Sequence, residues 1–173
     1  GRLMAGIHPP REGAVTVGGV PLVDLPLGEL RGHVALVTQE HHVFVGTVRE
    51  NLVLARPTAD DDAVLAALGS VDARAWVEAL PAGLDTLVGS GGRALTDVQA
   101  QQVALARLVL ADPHTLVLDG ATSLIDPRAA RHLERSMASV LDGRTVVAIA
   151  HRLFSAHDAD RVAVVDGGRI TEL

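Results

Sequence analysis

Three apolar runs in this chain each lead to one polar side chain that could contact a ligand. The runs cover residues 34–37, 116–118 and 146–150, and the polar residues that follow them are Gln39, Asp119 and His151. Strands without polar alternation are typical of parallel sheets that helices cover on both faces. Because ligands of such sheets bind beyond the carboxyl ends of the strands, the pattern predicts one ligand site that contains all three polar side chains.

The elements that must position this site carry recognisable local signals. Residues 1–7 are typical of the end of a helix, which the Pro9-Pro10 pair cannot continue. Apolar periodicity predicts further helical segments at 25–30, 47–55, 58–68 and 72–80. Turn residues between apolar runs predict two hairpins, one with Gly18-Gly19 and one with Asp166-Gly167-Gly168 at the turn. Asp126-Pro127 has the composition of another helix start.

The strand before Asp119 follows a segment that is predicted to be a helix with a polar start. Thr96 and Gln99 have the spacing of a capping box, in which each side chain satisfies a free backbone N–H at the helix start. The apolar residues from 103 to 110 predict a helix buried on most of its circumference. Asp112 precedes a proline, which disfavours helical geometry, so we expect the helix to end there.

The composition excludes several classes of function. With 173 residues, of which 48% are hydrophobic and 21% charged, the chain is typical of a globular domain with a sizeable core. The absence of cysteine excludes disulfides, thiolate metal sites and thiol nucleophiles. The chain also lacks lysine, so it contains no complete phosphate-binding P-loop. A net charge of -6 argues against a nucleic-acid partner, and no apolar run approaches the roughly 18 residues of a membrane helix.

Four other clusters allow a functional and a structural interpretation, and we favour the structural one for each. The acidic run at 60–62 could hold a metal ion, but it is well placed for a positive helix N-terminus. The glycine-rich loop at 83–92 could bind phosphate, but no strand precedes it and no lysine follows it. His41-His42 and the cluster at 157–160 lack a third metal ligand at a recognisable spacing, so we interpret them as solvated loops.

The order of these segments resembles the second half of an ABC-type ATPase domain. That family has a signature helix that begins LSGGQ, then a hydrophobic Walker B strand that ends in Asp-Glu, then a D-loop with the pattern SxLD. The matching stretches here are Leu95-Thr96-Asp97-Val98-Gln99, then 116–119 followed by Gly120, then Ser123-Leu124-Ile125-Asp126. The resemblance covers essentially the whole chain.

This resemblance implies an α/β fold: a P-loop NTPase (RecA-like) core with a mostly parallel sheet, plus an α-helical subdomain. Residues 1–173 would form one partial ATPase domain, incomplete at its N-terminal side, with the P-loop lysine a few residues before Gly1. Residues 1–40 and 113–173 would belong to the core. Residues 41–112 would form the helical subdomain, with the Q-loop and the signature helix.

The resemblance also implies roles for individual residues. Asp119 would hold Mg²⁺ through water, since a hard cation prefers oxygen ligands, and Gln39 would lie beside the metal and the γ-phosphate. His151 would be the H-loop residue that hydrogen-bonds the γ-phosphate. Ser123 and Asp126 would form the D-loop at a dimer interface. The signature residues, which would face a nucleotide on the partner subunit, are Thr96, Asp97, Val98 and Gln99.

Two departures from the family pattern predict slow hydrolysis. The family's catalytic glutamate is replaced by Gly120, and general-base assistance is typically worth about 10² to 10⁴ in rate. Asp97 and Val98 bring charge and bulk to signature positions that approach the γ-phosphate. Like unit charges about 4 Å apart cost on the order of 4 kcal/mol at an effective dielectric near 20. We therefore expect this signature to serve an opposing nucleotide poorly.

Residues 46–52 and 88–92 resemble exporter half-transporters more than importers. The first hypothesis is the ATP-binding domain of an ABC exporter, with ATP and Mg²⁺ as cofactors of the complete domain, although this segment alone is not expected to bind them tightly. It would pair head-to-tail with a second ATPase domain, as the degenerate half of a heterodimer. A transmembrane domain in the same polypeptide would hold it at the cytoplasmic face of the cell membrane.

The second hypothesis is a non-catalytic half that binds nucleotide mainly to stabilise the dimer. A third, a DNA-repair or chromosome-structure ATPase, predicts coiled-coil heptads and a basic face, and the sequence shows neither.

Overall fold

The computed structural model describes residues 1–38, 41–119, 140–149 and 159–172. Gln39, Gly120, Ser123, Asp126 and His151 therefore lie outside the described residues. In chain order the elements are β1 (Thr16–Val17), β2 (Val20–Pro21), α1 (Leu27–His33), β3 (Val34–Thr38), β4 (Gly46–Thr47), α2 (Val48–Val53), α3 (Asp61–Ser70), α4 (Arg74–Glu78), β5 (Leu87–Val88), α5 (Asp97–Ala111), β6 (Thr115–Asp119), β7 (Thr145–Ile149), β8 (Val164–Asp166) and β9 (Arg169–Glu172).

The three predicted apolar strands form one parallel sheet. Its order is β3-β6-β7, with β6 in the centre. Asp119, the last residue of β6, is paired in register with Thr38 on one side and with Ile149 on the other. The carboxyl ends of all three strands thus lie at one edge of the sheet, as the sequence predicted.

The sheet packs against other structure on both faces. Leu116 and Leu118 of β6 belong to the larger hydrophobic core, together with buried residues of α2, α3 and α5. Val117 points to the other face and packs in a smaller core with Leu22 and Leu30. The expectation of complete burial is wrong for β7, where Thr145, Val146 and Ala148 are exposed. β7 is an edge strand of the described sheet, so only β6 pairs with it there.

The helical segment between β3 and β6 forms from strong local signals. Its predicted helices correspond to α2, α3 and α4, each shorter than the sequence suggested. Asp60 caps α3, because its carboxylate accepts a 2.9 Å hydrogen bond from the Ala63 N–H. This confirms the structural interpretation of the acidic run at 60–62. α3, α2 and α5 then bury their apolar faces together, with Val64, Leu68 and Leu52 fully buried.

Helix α5 begins and ends where the sequence predicted. Thr96 Oγ1 accepts from the Gln99 N–H at 3.2 Å, and Gln99 Oε1 accepts from the Thr96 N–H at 3.0 Å, which completes the capping box. At the other end Asp112 adopts a left-handed conformation with φ of 46°. Arg144 stabilises this turn, because its Nη2 donates to Asp112 Oδ1 at 2.6 Å.

The first helical turn ends earlier than the sequence predicted, whereas the last hairpin forms as predicted. The opening helical turn ends at Gly6, where φ is +69°, before the proline pair is reached. Ile7 N donates to Arg2 O at 3.0 Å and Gly6 N to Leu3 O at 3.1 Å, which is a Schellman motif. In the β8–β9 hairpin the turn is formed by Gly167 and Gly168, both with positive φ.

The hairpin predicted around Asp166-Gly167-Gly168 is confirmed, with Asp166 as the last residue of β8, paired with Arg169. Two consecutive glycines tolerate the positive φ that this turn demands, whereas aspartate does so less readily. The first hairpin is confirmed, with Gly18 and Gly19 between β1 and β2. Within the described ranges, none of the helices combines the length and the apolar composition needed to cross a membrane.

Candidate functional site

Asp119 lies at the carboxyl end of the central strand, where the sequence placed the candidate site. Its side chain is 38% exposed, so the carboxylate is accessible from the edge of the sheet. The backbone nitrogen of Gly1 lies 3.8 Å from Asp119 Oδ2. A Cβ atom at position 1 would come within 3.2 Å of Asp119 Cγ, so the absence of a side chain at Gly1 permits this close approach.

The residues predicted to share this site with Asp119 lie outside the described residues. They are Gln39, Gly120, Ser123, Asp126 and His151. What the structure does show is that β3, β6 and β7 end side by side, directly before residues 39, 120 and 150. The site therefore has one described carboxylate, and the roles of the other side chains stay predictions.

The four predicted signature residues lie together at the start of α5. Thr96, Asp97 and Val98 are exposed, whereas Gln99 is half-buried. The Thr96 hydroxyl and the Gln99 amide cap the helix, so these two polar groups already have backbone partners. Asp97 occupies the first turn, where the helix dipole stabilises a negative charge. In the described residues, no hydrogen bond or ion pair joins this group to Asp119.

His41, two residues after Gln39, is a half-buried titratable residue. Burial lowers the pKa of His41 from its ordinary value of 6.5, and the negative charge of Asp97 acts in the opposite direction. His41 is thus a half-buried imidazole that favours its neutral form.

Asn51 of α2 is a buried polar residue that the sequence analysis did not identify as important. Its side chain is almost inaccessible, with 1% of its surface exposed. Oδ1 accepts from the Phe44 N–H at 2.8 Å, and Nδ2 donates to Phe44 O at 2.8 Å and to Thr47 O at 3.0 Å. This reciprocal pair fixes the backbone at Phe44, which precedes β4.

Arg107 of α5 completes this network from the opposite side. Its Nε donates to Asn51 O at 2.7 Å, its Nη2 to Asn51 Oδ1 at 2.6 Å, and its Nη1 to His42 O at 2.7 Å. The guanidinium carbon also lies 5.2 Å from the centroid of the Phe44 ring. Burial lowers the pKa of Arg107, but an arginine remains charged in the physiological range.

One signal in the sequence could have identified Arg107. It is the only charged residue in the otherwise apolar stretch from 103 to 111. A lone arginine in a helix that is buried on most of its circumference must find acceptors inside the protein. No comparable signal marks Asn51, because an asparagine in a short helix is equally compatible with an exposed position.

The glycine-rich loop packs tightly against the segment after His42. β5 pairs with β4, and Gly89 follows with φ of +83°. A Cβ atom on Gly89 would lie 2.9 Å from Phe44 O and 3.0 Å from Val45 Cα. This close backbone approach accounts for Gly89. The stretch at 83–92, predicted as a connecting loop, contains the short strand β5 directly before Gly89.

The alternative metal clusters gain no support within the described part of the chain. There, no group of three or more histidine or acidic side chains is arranged to hold a metal ion. His42 lies in the segment held by Arg107 and contributes its backbone carbonyl and an edge-to-face ring contact with Phe44. The cluster at 157–160 lies partly outside the described residues.

Comparisons with known proteins agree with the resemblance seen in the sequence. The family described as "ABC transporter" matches residues 2–123. The chain is 37% identical over 170 residues to the ATP-dependent lipid A-core flippase of Chromobacterium violaceum, which covers 98% of this chain and 29% of that protein. It is 36% identical over 165 residues to a probable multidrug resistance ABC transporter ATP-binding/permease protein, YheI, of Bacillus subtilis, covering 95% and 28%.

A solved structure shows that the similarity extends to the fold. The structure of a bacterial Atm1-family ABC exporter with ATP bound matches 99% of this chain and 30% of that chain, with a TM-score of 0.83 and 32% identity. The chain thus spans less than a third of the length of each of these relatives.

Proposed function

The chain belongs to the ABC transporter family, and we propose that it is the ATP-binding domain of an exporter that couples ATP binding and hydrolysis to transport across a membrane. The observation that carries this proposal is the position of Asp119. Its accessible carboxylate ends the central strand of a parallel sheet, in a fold that matches an exporter with ATP bound over 99% of the chain.

An accessible carboxylate at this edge fits a Mg²⁺ site, because Mg²⁺ prefers oxygen ligands and keeps several of its waters. In the complete domain, Asp119 and Gln39 would hold the ion, and His151 would hydrogen-bond the γ-phosphate. When bound, Mg²⁺ neutralises the charge that develops on the transferred phosphoryl group. The contribution of Asp119 is to hold one carboxylate in a fixed place, since β3 and β7 support its strand from both sides.

The proposal includes a degenerate half of a heterodimer, paired head-to-tail with a second ATPase domain. Gly120 has no side chain to polarise an attacking water. Asp97 and Val98 are exposed at the start of α5, where Asp97 would repel a phosphate on the partner subunit. In such a pair Ser123 and Asp126 would contribute the D-loop contacts, while Thr96 and Gln99 would keep the altered signature in its helical conformation.

We further propose the division of the domain and its cellular setting. Residues 1–40 and 113–173 would form the nucleotide-binding core, and 41–112 the helical subdomain. The relatives are much longer than this chain, which supports a transmembrane domain in the same polypeptide. That domain would hold the ATPase at the cytoplasmic face of the cell membrane.

The alternative is a non-catalytic half that binds nucleotide to stabilise the dimer while its partner hydrolyses. Gly120 and Asp97 favour it, because each removes or opposes a group that assists hydrolysis. The two hypotheses differ in whether the site that contains Asp119 hydrolyses ATP.

Measurement of ATP turnover by the full-length protein separates these readings. We compare the parent with Gly120→Glu and with Gly120→Gln, a neutral control of the same size. Near-zero turnover in the parent, partial recovery in Gly120→Glu and no recovery in Gly120→Gln would support the non-catalytic half. Robust turnover of the parent would contradict it, and a full-length protein that binds no ATP would contradict the proposed function altogether.

A further inference from the structure

We propose that Arg107 is a positioning residue that fixes the segment 42–45 to helix α5, so that this segment and the altered signature move as one unit. We name Arg107, Asn51, His42 and Phe44 the Arg107 clamp. The inference rests on the proposed function and deepens it. It describes how α5, which begins at the signature, is connected to the segment that follows Gln39.

The clamp is centred on an amide that has no unused hydrogen-bonding capacity. A primary amide offers two donors and two acceptor positions. Asn51 Nδ2 donates to Phe44 O and Thr47 O, and Oδ1 accepts from Phe44 N and Arg107 Nη2. Because Asn51 is 1% exposed, water cannot replace any partner that moves away. The backbone at Phe44 is therefore held in one position relative to α2.

Arg107 extends this hold from α2 to α5. Three of its N–H groups donate to Asn51 O, Asn51 Oδ1 and His42 O at 2.6 to 2.7 Å. Those three acceptors lie on two separate segments, and only a planar guanidinium presents donors to them in a fixed fork. The ring of Phe44 adds a cation–π contact at 5.2 Å. The arginine thus joins α5, α2 and the segment 42–45.

The electrostatics indicate a positioning role for the charge. Every described partner of the Arg107 guanidinium is a neutral carbonyl, amide or aromatic ring. A half-buried cation without a carboxylate partner depends on correctly oriented dipoles. Displacement of the segment 42–45 would remove the His42 carbonyl and the Phe44 ring at once. This dependence couples the position of the segment to the position of α5.

The segment held by the clamp presents an accessible apolar surface. Phe44 is 47% exposed and Val45 is 72% exposed, although their backbone is fixed from within. Val98, in the first turn of α5, is likewise exposed. A displacement of α5 caused by nucleotide at the signature would therefore move Phe44 and Val45 as well.

Hydrogen exchange of the full-length protein without nucleotide tests the clamp directly. The Phe44 amide should be as protected as amides within α2, despite the exposure of its side chain. In Arg107→Lys, which keeps the charge and the aliphatic stem, exchange across 42–47 should be about tenfold faster. The matched control is Arg74→Lys, because Arg74 forms an exposed pair with Glu78 on α4, and it should leave this exchange unchanged.

Three results would overturn the proposal. The first is a Phe44 amide in the parent that exchanges at the rate of an unprotected loop, a result that needs no variant to fold. The second is unchanged exchange in Arg107→Lys. The third is an equal acceleration in α3 and β6, which would show that Arg107 contributes only to overall stability.

A second measurement tests the coupling to nucleotide. Spin labels at Val45→Cys and Gln101→Cys, in a background free of other cysteines, should give a narrow distance distribution that broadens in Arg107→Lys. If ATP shifts protection across 42–47 in the parent but not in Arg107→Lys, the coupling is supported. A shift of equal size in both overturns it. Failure of the protein to bind ATP would refute the proposed function, whereas the nucleotide-free exchange would still test the clamp.

Discussion

The indole Nε1 of Trp76 donates a 2.9 Å hydrogen bond to Oε1 of Gln102, which joins α4 to α5. The Nε2 of the same amide donates to Val71 O at 3.0 Å and to Asp72 O at 3.1 Å, at the corner between α3 and α4. Asp72 has φ of 56° in that corner. Gln102 thus acts as both acceptor and donor, which neither an acid nor an apolar residue can reproduce.

We expect Gln102→Glu to destabilise the helical segment by about 1 to 3 kcal/mol, because the carboxylate cannot donate to the two carbonyls at the corner. Chemical denaturation followed by the fluorescence of Trp76, the one tryptophan of this sequence, measures the effect. Gln101→Glu makes the same change of charge one position away and serves as the control. Equal losses in both variants would mean that the added charge, and not the lost donor, is responsible.

The lowered pKa of His41 predicts a dependence of stability on pH. Because burial lowers the pKa in the folded state, the unfolded chain binds the proton more readily. The contribution of His41 to the free energy of unfolding is therefore fully present above pH 6.5, the ordinary pKa. It is lost as the pH falls through the pKa of the folded state. His41→Gln should reduce the loss of stability from about pH 7.5 to about pH 5.5.

Asp97→Asn provides the complementary variant for His41. The charge of Asp97 opposes the effect of burial, so its removal should lower the pKa of His41 further and enlarge the pH-dependent loss. Urea unfolding midpoints at several pH values, together with a titration of the imidazole by NMR, measure both effects. An unchanged imidazole titration in Asp97→Asn would contradict the interaction between the two side chains.

Restoring the family signature should strengthen nucleotide-dependent pairing. Asp97→Gly with Val98→Gly removes a charge that costs on the order of 4 kcal/mol at about 4 Å from a phosphate and removes bulk from an exposed position. We expect the double variant of the full-length protein to dimerise with its partner domain at lower ATP concentration, as measured by cross-linking or light scattering. Val98→Ala alone keeps the charge of Asp97 and should have little effect on dimerisation. An equal response of the double variant and of Val98→Ala would refute the electrostatic explanation.

Most of the fold follows from local signals in the sequence. The apolar strands predicted the parallel sheet, and the Thr96 and Gln99 spacing predicted the start of α5, because each signal acts within a few residues. The match to an exporter structure confirms the predicted α/β P-loop NTPase fold. The prolines at 9 and 10 predict the end of the first helical turn too late, because Gly6 in a left-handed conformation ends it before they are reached.

The candidate site was less predictable than the fold, since its internal contacts are long-range. Arg107 meets its acceptors 56 and 65 positions away, and no periodicity or short motif encodes such a pairing. The exposure of Val146 in β7 was missed for a related reason, because an apolar run does not reveal whether its strand is central or at an edge. The assignment of Gln39, Gly120 and His151 still depends on their resemblance to family motifs.

The contact between Gly89 and Phe44 has a consequence for recombination between relatives. β4 and β5 pair through Gly46 with Val88 and Thr47 with Leu87. The Phe44 carbonyl packs against Gly89 in the space that a side chain at position 89 would fill. A chimera that takes residues 44–47 from one parent and 87–92 from another would combine backbones selected separately for this fit. Crossover points should therefore fall outside both stretches, so that they are inherited together.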